Sequence, residues 1–196
     1  MARLTDKLRT AFGCLQARDL AGAARLCGEA LSDAPGDRDA LYLLGLVRLA
    51  GGNADEAVSL ISQALAGGAR DAGMLEHLGL AHFVLRNYAT AEALFRDALV
   101  QGASHGALYM RLGIALAAQG KLTDAVTVLR EAAARSPEAP DVHLNLGNTL
   151  AECGEGQEAL ACYARVLALQ PDHLAAHFNL GNLHRNAGRL EEAGLS

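Results

Sequence analysis

The histidines and cysteines are the side chains of this 196-residue chain best suited to metal or nucleophile chemistry. His173, His177 and His184 have helix-compatible spacings, and His143 precedes His177 by 34 residues. A metal site needs three or four converging ligands and further groups that orient them. We interpret these histidines as core or half-buried residues, and we predict no metal and no cofactor.

The four cysteines form no CxxC pair and no spacing typical of zinc. Residues 1–10 lack the apolar core of a secretion signal, which predicts reduced thiols and a cytoplasmic location. Three of the thiols, Cys14, Cys27 and Cys162, are expected to pack as small apolar groups.

The sequence also lacks the motifs of common enzyme classes and of nucleic-acid or membrane binding. It has no glycine-rich phosphate loop, no nucleophile elbow and no acid pair at a cleft, so we predict no catalytic activity. A formal net charge of -5 leaves no basic footprint for nucleic acid. No stretch approaches the roughly 18 apolar residues of a membrane span.

The composition points to an all-α protein. Hydrophobic residues make up 51% of the chain, yet aromatic residues make up only 4% and Trp is absent. Leucine and alanine, which are good helix formers, dominate instead. A core without large rings favours many small helix contacts over one compact centre.

A 34-residue period runs through the chain in three residue types. Alanine follows the glycine of each repeated Leu-Gly pair by twelve residues, and Pro35, Pro137 and Pro171 share one phase. Such a shared period indicates a repeat protein. The Leu-Gly pairs are Leu44-Gly45, Leu78-Gly79, Leu112-Gly113, Leu146-Gly147 and Leu180-Gly181, and the alanines are Ala57, Ala91, Ala125, Ala159 and Ala193.

The phase divides residues 4–196 into one array of helix pairs. Apolar residues recur at i, i+3, i+4 and i+7 in the first half of each unit, which predicts an amphipathic helix. A glycine such as Gly52, Gly120, Gly154 or Gly188 stands where that helix should end. The predicted repeats are 4–37, 38–71, 72–105, 106–139, 140–173 and a partial unit, 174–196.

The glycine of each Leu-Gly pair lies inside a predicted helix, where it costs about 0.5–1 kcal/mol relative to alanine. That cost makes sense if the missing side chain lets the two helices of a unit approach closely. We expect the alanine twelve residues later to be the partner in this contact.

These features resemble the tetratricopeptide repeat family, whose 34-residue unit carries W-x2-L-G-x2-Y, then A-x3-F, then P. The resemblance covers the chain from Leu4 onward and implies a right-handed α-solenoid of antiparallel helix pairs. The first helices would line a concave groove. The Trp place holds other residues here, among them His143 and His177, and His184 holds a Tyr place. The resemblance therefore implies burial for those histidines.

A second stripe of the first helices would point into that groove, and it is apolar in four repeats. One interpretation is that this stripe packs between neighbouring first helices. The other is an apolar trough for an amphipathic helix or extended segment of a partner. The predicted apolar stripe and its neighbouring arginine are Leu8, Phe12, Tyr42, Leu46, Leu49, Leu80, Phe83, Met110, Arg111 and Ile114.

The last two repeats place asparagines on the same helices, in the strings HLNLGNTL and HFNLGNLH. The motif NLGN resembles repeats of O-linked N-acetylglucosamine transferases and related bacterial multidomain proteins, in which inward asparagines bind the partner's backbone. The other interpretation is a generic family consensus with no special role, since only two repeats carry the motif. The asparagines are Asn145, Asn148, Asn179 and Asn182.

The family's clamp for a C-terminal carboxylate is not predicted, since the expected lysines are missing and Asp39 and Glu76 stand at two of their places. The leading hypothesis is a protein-interaction scaffold that binds a peptide or helix. The alternatives are the substrate-recognition arm of a larger glycosyltransferase or sulfotransferase, and a self-assembling adaptor.

The last unit is expected to leave the apolar flank around Tyr163, Val166 and Leu167 incompletely covered. This predicts a bacterial chain that continues beyond Ser196, or a homo-oligomer formed through the uncapped end.

Overall fold

The computed structural model describes the backbone of residues 2–192 and the side chains of residues 4–185. Within these residues the chain forms eleven helices and no strand. In chain order the helices are α1 Ala2–Gln16, α2 Leu20–Asp33, α3 Arg38–Ala50, α4 Ala54–Ala66, α5 Ala72–Val84, α6 Tyr88–Val100, α7 Gly106–Ala117, α8 Leu122–Arg135, α9 Pro140–Glu152, α10 Gly156–Leu169 and α11 Leu174–Glu192.

Aspartates at the ends of connecting segments set where several helices begin. The Asp37 carboxylate accepts a hydrogen bond from the Ala40 backbone N–H at 2.8 Å, and Asp71 accepts one from Met74 N–H at 2.9 Å. Such a cap satisfies a backbone donor that has no partner within the helix, and it contributes about 1 kcal/mol. The helix starts at Arg38 and Ala72 therefore follow from the residue that precedes each one.

The helices pack as consecutive antiparallel pairs in two compact units, Met1–Ala103 and Ser104–Ser196. In the first unit α1 packs on α2, α3 on α4 and α5 on α6, and α2 also contacts α3 while α4 contacts α5. The second unit repeats this pattern with α7 on α8, α9 on α10, and α10 on α11. The predicted fold class of antiparallel helix pairs is confirmed; the assignment of residues 4–196 to a single array stays a prediction.

The glycines of the Leu-Gly pairs lie where the two helices of a repeat come closest. A Cβ added to Gly45 would lie 2.6 Å from Cγ1 of Ile61, and one added to Gly113 would lie 2.5 Å from Cγ of Leu129. Gly79 and Gly147 meet ring carbons of Phe95 and Tyr163 at 2.7 and 2.8 Å in the same way. Since real Cβ atoms do not approach carbon this closely, any larger residue at these positions would force the opposite side chain or helix to shift.

The prediction that each glycine contacts the alanine twelve residues later was wrong. The nearest contact comes from the residue sixteen positions later, and not from the alanine twelve positions later. The alanines Ala57, Ala91, Ala125 and Ala159 are fully buried one helical turn before that residue. Side chains four residues apart share a helix face. Because alanine carries only a methyl group, it does not keep the larger side chain one turn later from reaching the glycine.

The turn inside each pair needs one residue with a positive φ. Gly52, Gly120 and Gly154 have φ of 84°, 76° and 83°, which confirms that they end the first helix of their pairs. The same position in the first and third repeats holds Arg18 and Arg86, each with φ of 61°. An L-residue in this left-handed conformation costs about 1–2 kcal/mol. The turn geometry is therefore kept even where glycine is absent.

The structure changes two expectations for the last unit, and the first of them was wrong. α11 runs through Gly188 to Glu192, so Gly188 does not end a helix. Continuing a helix adds a backbone hydrogen bond per residue, whereas a reversal needs a second helix to pack against, and the described residues contain none there. The flank that was expected to be incompletely covered is covered in part: Tyr163 and Val166 are buried where α10 packs against α11, and Leu167 is half-buried. Ala193 lies outside the described residues.

No helix within the described part of the chain combines the length and the apolar character that crossing a lipid bilayer requires.

We expect Gly113→Ala to lower the free energy of unfolding by about 1–2 kcal/mol, because overpacking against Leu129 outweighs the gain in helix propensity. Gly181→Ala is the matched control: no described atom lies within 4 Å of its added Cβ. It should raise stability by about 0.5–1 kcal/mol. Urea unfolding followed by circular dichroism measures both, and equal effects at the two positions would contradict the contact.

Arg86→Gly should raise the free energy of unfolding by about 1 kcal/mol, since glycine adopts positive φ without steric cost. The reverse change at the equivalent position, Gly120→Arg, should lower it by a similar amount. Chemical denaturation of both variants tests this, and a destabilised Arg86→Gly would show that the arginine side chain matters more than its backbone conformation.

Candidate functional site

All fourteen predicted groove residues lie on first helices, and none of them is buried. Phe12 on α1 is 48% exposed, and most of the others are half-buried. A half-buried residue both packs on its own unit and leaves surface for a partner. The two interpretations of this stripe therefore have to be separated residue by residue.

A cavity of about 410 Å³ opens between the first helices of the first unit. Its walls come from α1, α3 and α5 and are almost entirely aliphatic. We call it the leucine cavity; it is lined by Leu15, Leu46, Leu49, Ala50, His77, Leu80 and Val84. Three of these residues, Leu46, Leu49 and Leu80, were predicted from the sequence as groove residues.

His77 and Val84 belong to the leucine cavity but were missed as site residues. His77 occupies the repeat position that holds Asn145 and Asn179 in the last two repeats, so its phase was an available signal. Val84 is the last residue of α5 and is 54% exposed. An exposed valine at a helix end is common on protein surfaces, and no sequence signal distinguishes this one.

A pair of polar groups lies beside the aliphatic walls. The Tyr42 hydroxyl lies 2.9 Å from Nδ1 of His77, and the same nitrogen lies 2.7 Å from the Gly73 carbonyl oxygen. A nitrogen this close to a carbonyl donates to it, which leaves Nε2 of a neutral His77 as an acceptor. Burial raises the pKa of Tyr42 from 10.0 to about 12, and the negative charges of Asp71 and Glu76 add to the rise.

Several predicted groove residues pack within their own unit instead. The Phe83 ring contacts Tyr88 and Phe95 of α6, with centroids 5.5 and 6.4 Å away. Met110 packs against the buried cluster that contains Leu129. Leu8 packs in the same way against a cluster of Ala11, Cys27 and Leu43 in the first unit. These contacts correspond to the packing interpretation of the apolar stripe.

The second unit has a polar counterpart, a cavity of about 340 Å³ between α9 and α11. We call it the asparagine cavity; it is lined by Asn148, Ala151, Glu152, Tyr163, Asn179, Asn182 and Leu183. Three of the four predicted asparagines line it. Asn145 does not, and its amide donates instead to the Asp141 carbonyl oxygen at 2.7 Å.

Hydrogen bonds hold the amides of the asparagine cavity in place. The Asn148 side-chain oxygen accepts from the Tyr163 hydroxyl at 3.0 Å and from the Asn179 amide at 2.7 Å. The Asn182 oxygen accepts from the Arg185 guanidinium. The contact of the buried Tyr163 with Asn148 was not predicted. Tyr163 lies on α10 and Asn148 on α9, and the repeat period does not show which side chains of two helices meet.

Phe178 on α11 is a further exposed apolar residue, with 68% of its surface accessible. It stands 34 residues after Leu144 and in the same phase as Tyr42 and Met110. That phase was sufficient to predict it as a groove residue.

The histidine prediction was partly wrong. His143 is half-buried, but His177 and His184 are exposed on α11, where no described helix covers them. Nε2 of His143 donates to the Pro137 carbonyl oxygen at 2.9 Å, and Nε2 of His177 donates to that of Pro171 at 2.8 Å. No group of three potential metal ligands occurs among the residues that the structure describes.

The cysteines differ strongly in accessibility. Cys27 is completely buried, and this burial raises its pKa to about 11. Cys14 and Cys162 are half-buried, as expected for apolar filling groups, while Cys153 is exposed. Burial also raises the pKa of Cys162, with a further contribution from Glu158.

Comparisons with known proteins identify the same repeat. Sequence profiles described as tetratricopeptide repeat match residues 15–75 and 116–173, residues 47–107 and 76–140, and residues 174–194. No curated protein matches the sequence.

Solved structures with this fold cover most of the chain. YrrB, a TPR protein with an unusual peptide-binding site, superposes with a TM-score of 0.77 and 22% identity over 88% of this chain and 89% of that one. MamA from Desulfovibrio magneticus RS-1 superposes with a TM-score of 0.80 and 17% sequence identity, over 88% of this chain and 98% of that one. A thermophilic TPR protein of Thermus thermophilus superposes with a TM-score of 0.67 and 23% sequence identity, over 92% of this chain and 98% of that one. At these identities the likeness shows the fold.

Because the pKa of Tyr42 is raised in the folded chain, the free energy of unfolding should fall as the pH becomes alkaline. Its folded pKa of about 12 lies above the ordinary value of 10.0, so its contribution is complete below pH 10 and is lost as the pH rises to 12. Tyr42→Phe should therefore lose less stability between about pH 9 and about pH 11 than the natural chain. Urea midpoints at both pH values measure this, with Tyr88→Phe as the control for removing a hydroxyl; parallel losses would contradict the assignment.

Proposed function

The chain belongs to the tetratricopeptide repeat family, and we propose that it is a protein-interaction scaffold whose leucine cavity binds an apolar segment of a partner polypeptide. The observation that carries the proposal is a half-open aliphatic cavity on the first helices, with Val84 54% exposed at its edge. The proposal assigns no catalytic step to this chain.

The chemistry of the cavity favours aliphatic side chains on the partner. Each leucine-sized side chain that leaves water contributes about 1.5–3 kcal/mol. Two or three such anchors are needed for a useful affinity, since association itself costs several kcal/mol. An amphipathic helix or an extended segment with alternating apolar residues supplies anchors at a suitable spacing.

His77 gives this site one polar group that can accept a hydrogen bond from the partner. Its Nδ1 is occupied by the Gly73 carbonyl and the Tyr42 hydroxyl, so the ring is held in one orientation. A donor on the partner would find Nε2 of the neutral ring as an acceptor. Binding specificity would then come from one hydrogen bond placed among aliphatic contacts, as in many ligand sites.

The asparagine cavity is proposed as a second contact, one that binds the partner's backbone. The hydrogen bond between Asn148 and Asn179 uses the oxygen of the first amide and one hydrogen of the second. The Asn148 N–H groups and the Asn179 oxygen can then pair with an extended chain, which offers acceptors and donors in turn. The peptide-binding site named for YrrB supports peptide binding as a use of this fold.

The test is selection of phage-displayed random peptides on the full chain, followed by affinity measurement of the selected peptides. Val84→Glu should weaken their binding at least tenfold, about 1.4 kcal/mol, because it places a charge at the edge of the leucine cavity. Val100→Glu is the matched control, since Val100 is 81% exposed on α6 and does not line the cavity.

Circular dichroism should show equal helicity for both variants, because both valines are exposed. Peptides that bind the two variants equally well would contradict the leucine cavity as the site, and so would a selection that yields no saturable binder.

A further inference from the structure

The helix faces that form the leucine cavity become acidic towards the N-terminal ends of α3 and α5. On α3, Asp39, Tyr42 and Leu46 are spaced by three and four residues, so their side chains lie on one face. Leu46 lines the cavity, whereas Asp39 lies in the first turn of the helix. One stripe of α3 therefore changes from aliphatic to acidic over about 10 Å, at roughly 1.5 Å per residue.

The Asp39 carboxylate has no cation of its own. It is exposed, and no other described residue forms an ion pair or hydrogen bond with it. The neighbouring Arg38 is engaged elsewhere, since its guanidinium donates to the Ala69 carbonyl oxygen at 2.6 Å. Arg9 on α1 is paired with Asp6. Asp39 is therefore available to pair with a cation on another molecule.

Two more carboxylates act on the same region. Burial is the main cause of the raised pKa of Tyr42, and the negative charges of Asp71 and Glu76 raise it further, so both charges act on its hydroxyl. Oδ1 of Asp71 and the Tyr42 hydroxyl oxygen lie 3.2 and 3.6 Å from the point that a Cβ on Gly73 would occupy. The space beside Gly73 is therefore bordered by a carboxylate and a hydroxyl group.

The positive ends of α3 and α5 do not reverse the sign of the charge here. Each helix N-terminus carries the equivalent of about half a positive charge. The Asp37 carboxylate caps α3 and the Asp71 carboxylate caps α5, and each full negative charge exceeds the partial charge of its helix end. His77 adds an acceptor, because its Nδ1 donates to the Gly73 carbonyl and Nε2 of the neutral ring accepts.

We propose that the segment bound by the leucine cavity carries a lysine or arginine next to its aliphatic anchors, and that this cation lies among Asp39, Tyr42 and His77. Lysine and arginine offer donors and no acceptor, which complements carboxylates and a histidine acceptor. The spacing along α3 places the cation about 6–10 Å from the nearest anchor, which is one or two turns of a bound helix. The inference rests on the proposed function, because it names the class of partner that the leucine cavity binds.

The probes are the phage-selected peptides whose binding Val84→Glu weakens, since these occupy the leucine cavity. Val84 lies seven residues after His77, about 10 Å along α5, so this substitution acts at the opposite end of the cavity from the proposed cation. We expect helical peptides of this set to carry a basic residue about four to seven positions from their apolar anchors.

Asp39→Lys should weaken the binding of these peptides at least roughly fivefold, because repulsion replaces attraction between exposed charges. Asp55→Lys is the matched control, since Asp55 is also exposed in the first turn of a helix, but on α4, and does not line the cavity. Circular dichroism should show equal helicity for the two variants.

A charge exchange isolates the pair of charges. Replacing the basic residue of a peptide by glutamate should weaken its binding to the natural chain at least roughly fivefold, and Asp39→Lys should restore that binding. The difference between the two peptides should shrink at about 0.5 M NaCl, because salt screens exposed charges.

Peptides that depend on Val84 but bind Asp39→Lys as tightly as the natural chain would overturn the inference and leave the proposed function standing. The same conclusion follows if these peptides carry no basic residue near their anchors, or if Asp39→Lys and Asp55→Lys weaken binding equally. A selection that yields no peptide dependent on Val84 would contradict both the inference and the proposed function.

Discussion

The contact between a helical glycine and a large side chain sixteen residues later sets the architecture of every pair in which it occurs. With no Cβ on Gly45, Gly79, Gly113 or Gly147, the second helix approaches until Ile61, Phe95, Leu129 or Tyr163 touches the backbone of the first. The glycine costs helix stability, and close packing over the length of two helices offsets that cost. The fully buried alanines one turn away belong to the same contact surface.

This contact also decides which surface of the first helix remains available to solvent. Because the Leu-Gly face of a first helix is committed to its own second helix, its other apolar stripe is shared between packing on neighbours and exposure to water. Tyr42 shows the packing role through its bond to His77, whereas Val84 shows the exposed one. Packed and exposed side chains therefore coexist on one helix face, as expected when a half-buried side chain contacts both a neighbour and solvent.

The two units present different chemistry on this common scaffold. The first unit forms an aliphatic cavity with one histidine, and the second forms a cavity whose asparagines are ordered by Tyr163. An aliphatic wall selects side chains through burial, whereas amides bind backbone groups regardless of side chain. The proposed function uses both, with side-chain burial in the first unit and backbone hydrogen bonds in the second.

Period and residue type were enough to predict the helix pairs, the turns at Gly52, Gly120 and Gly154, and the first helices as the carriers of the candidate site. These features depend on local propensity and on spacing along one chain, which the sequence states directly. The partner of each glycine, the orientation of Phe83 towards α6 and the exposure of His177 and His184 were decided only by the tertiary structure. They depend on which side chains from separate helices meet, and a helical period specifies the face of a helix without specifying the depth at which another helix packs against it.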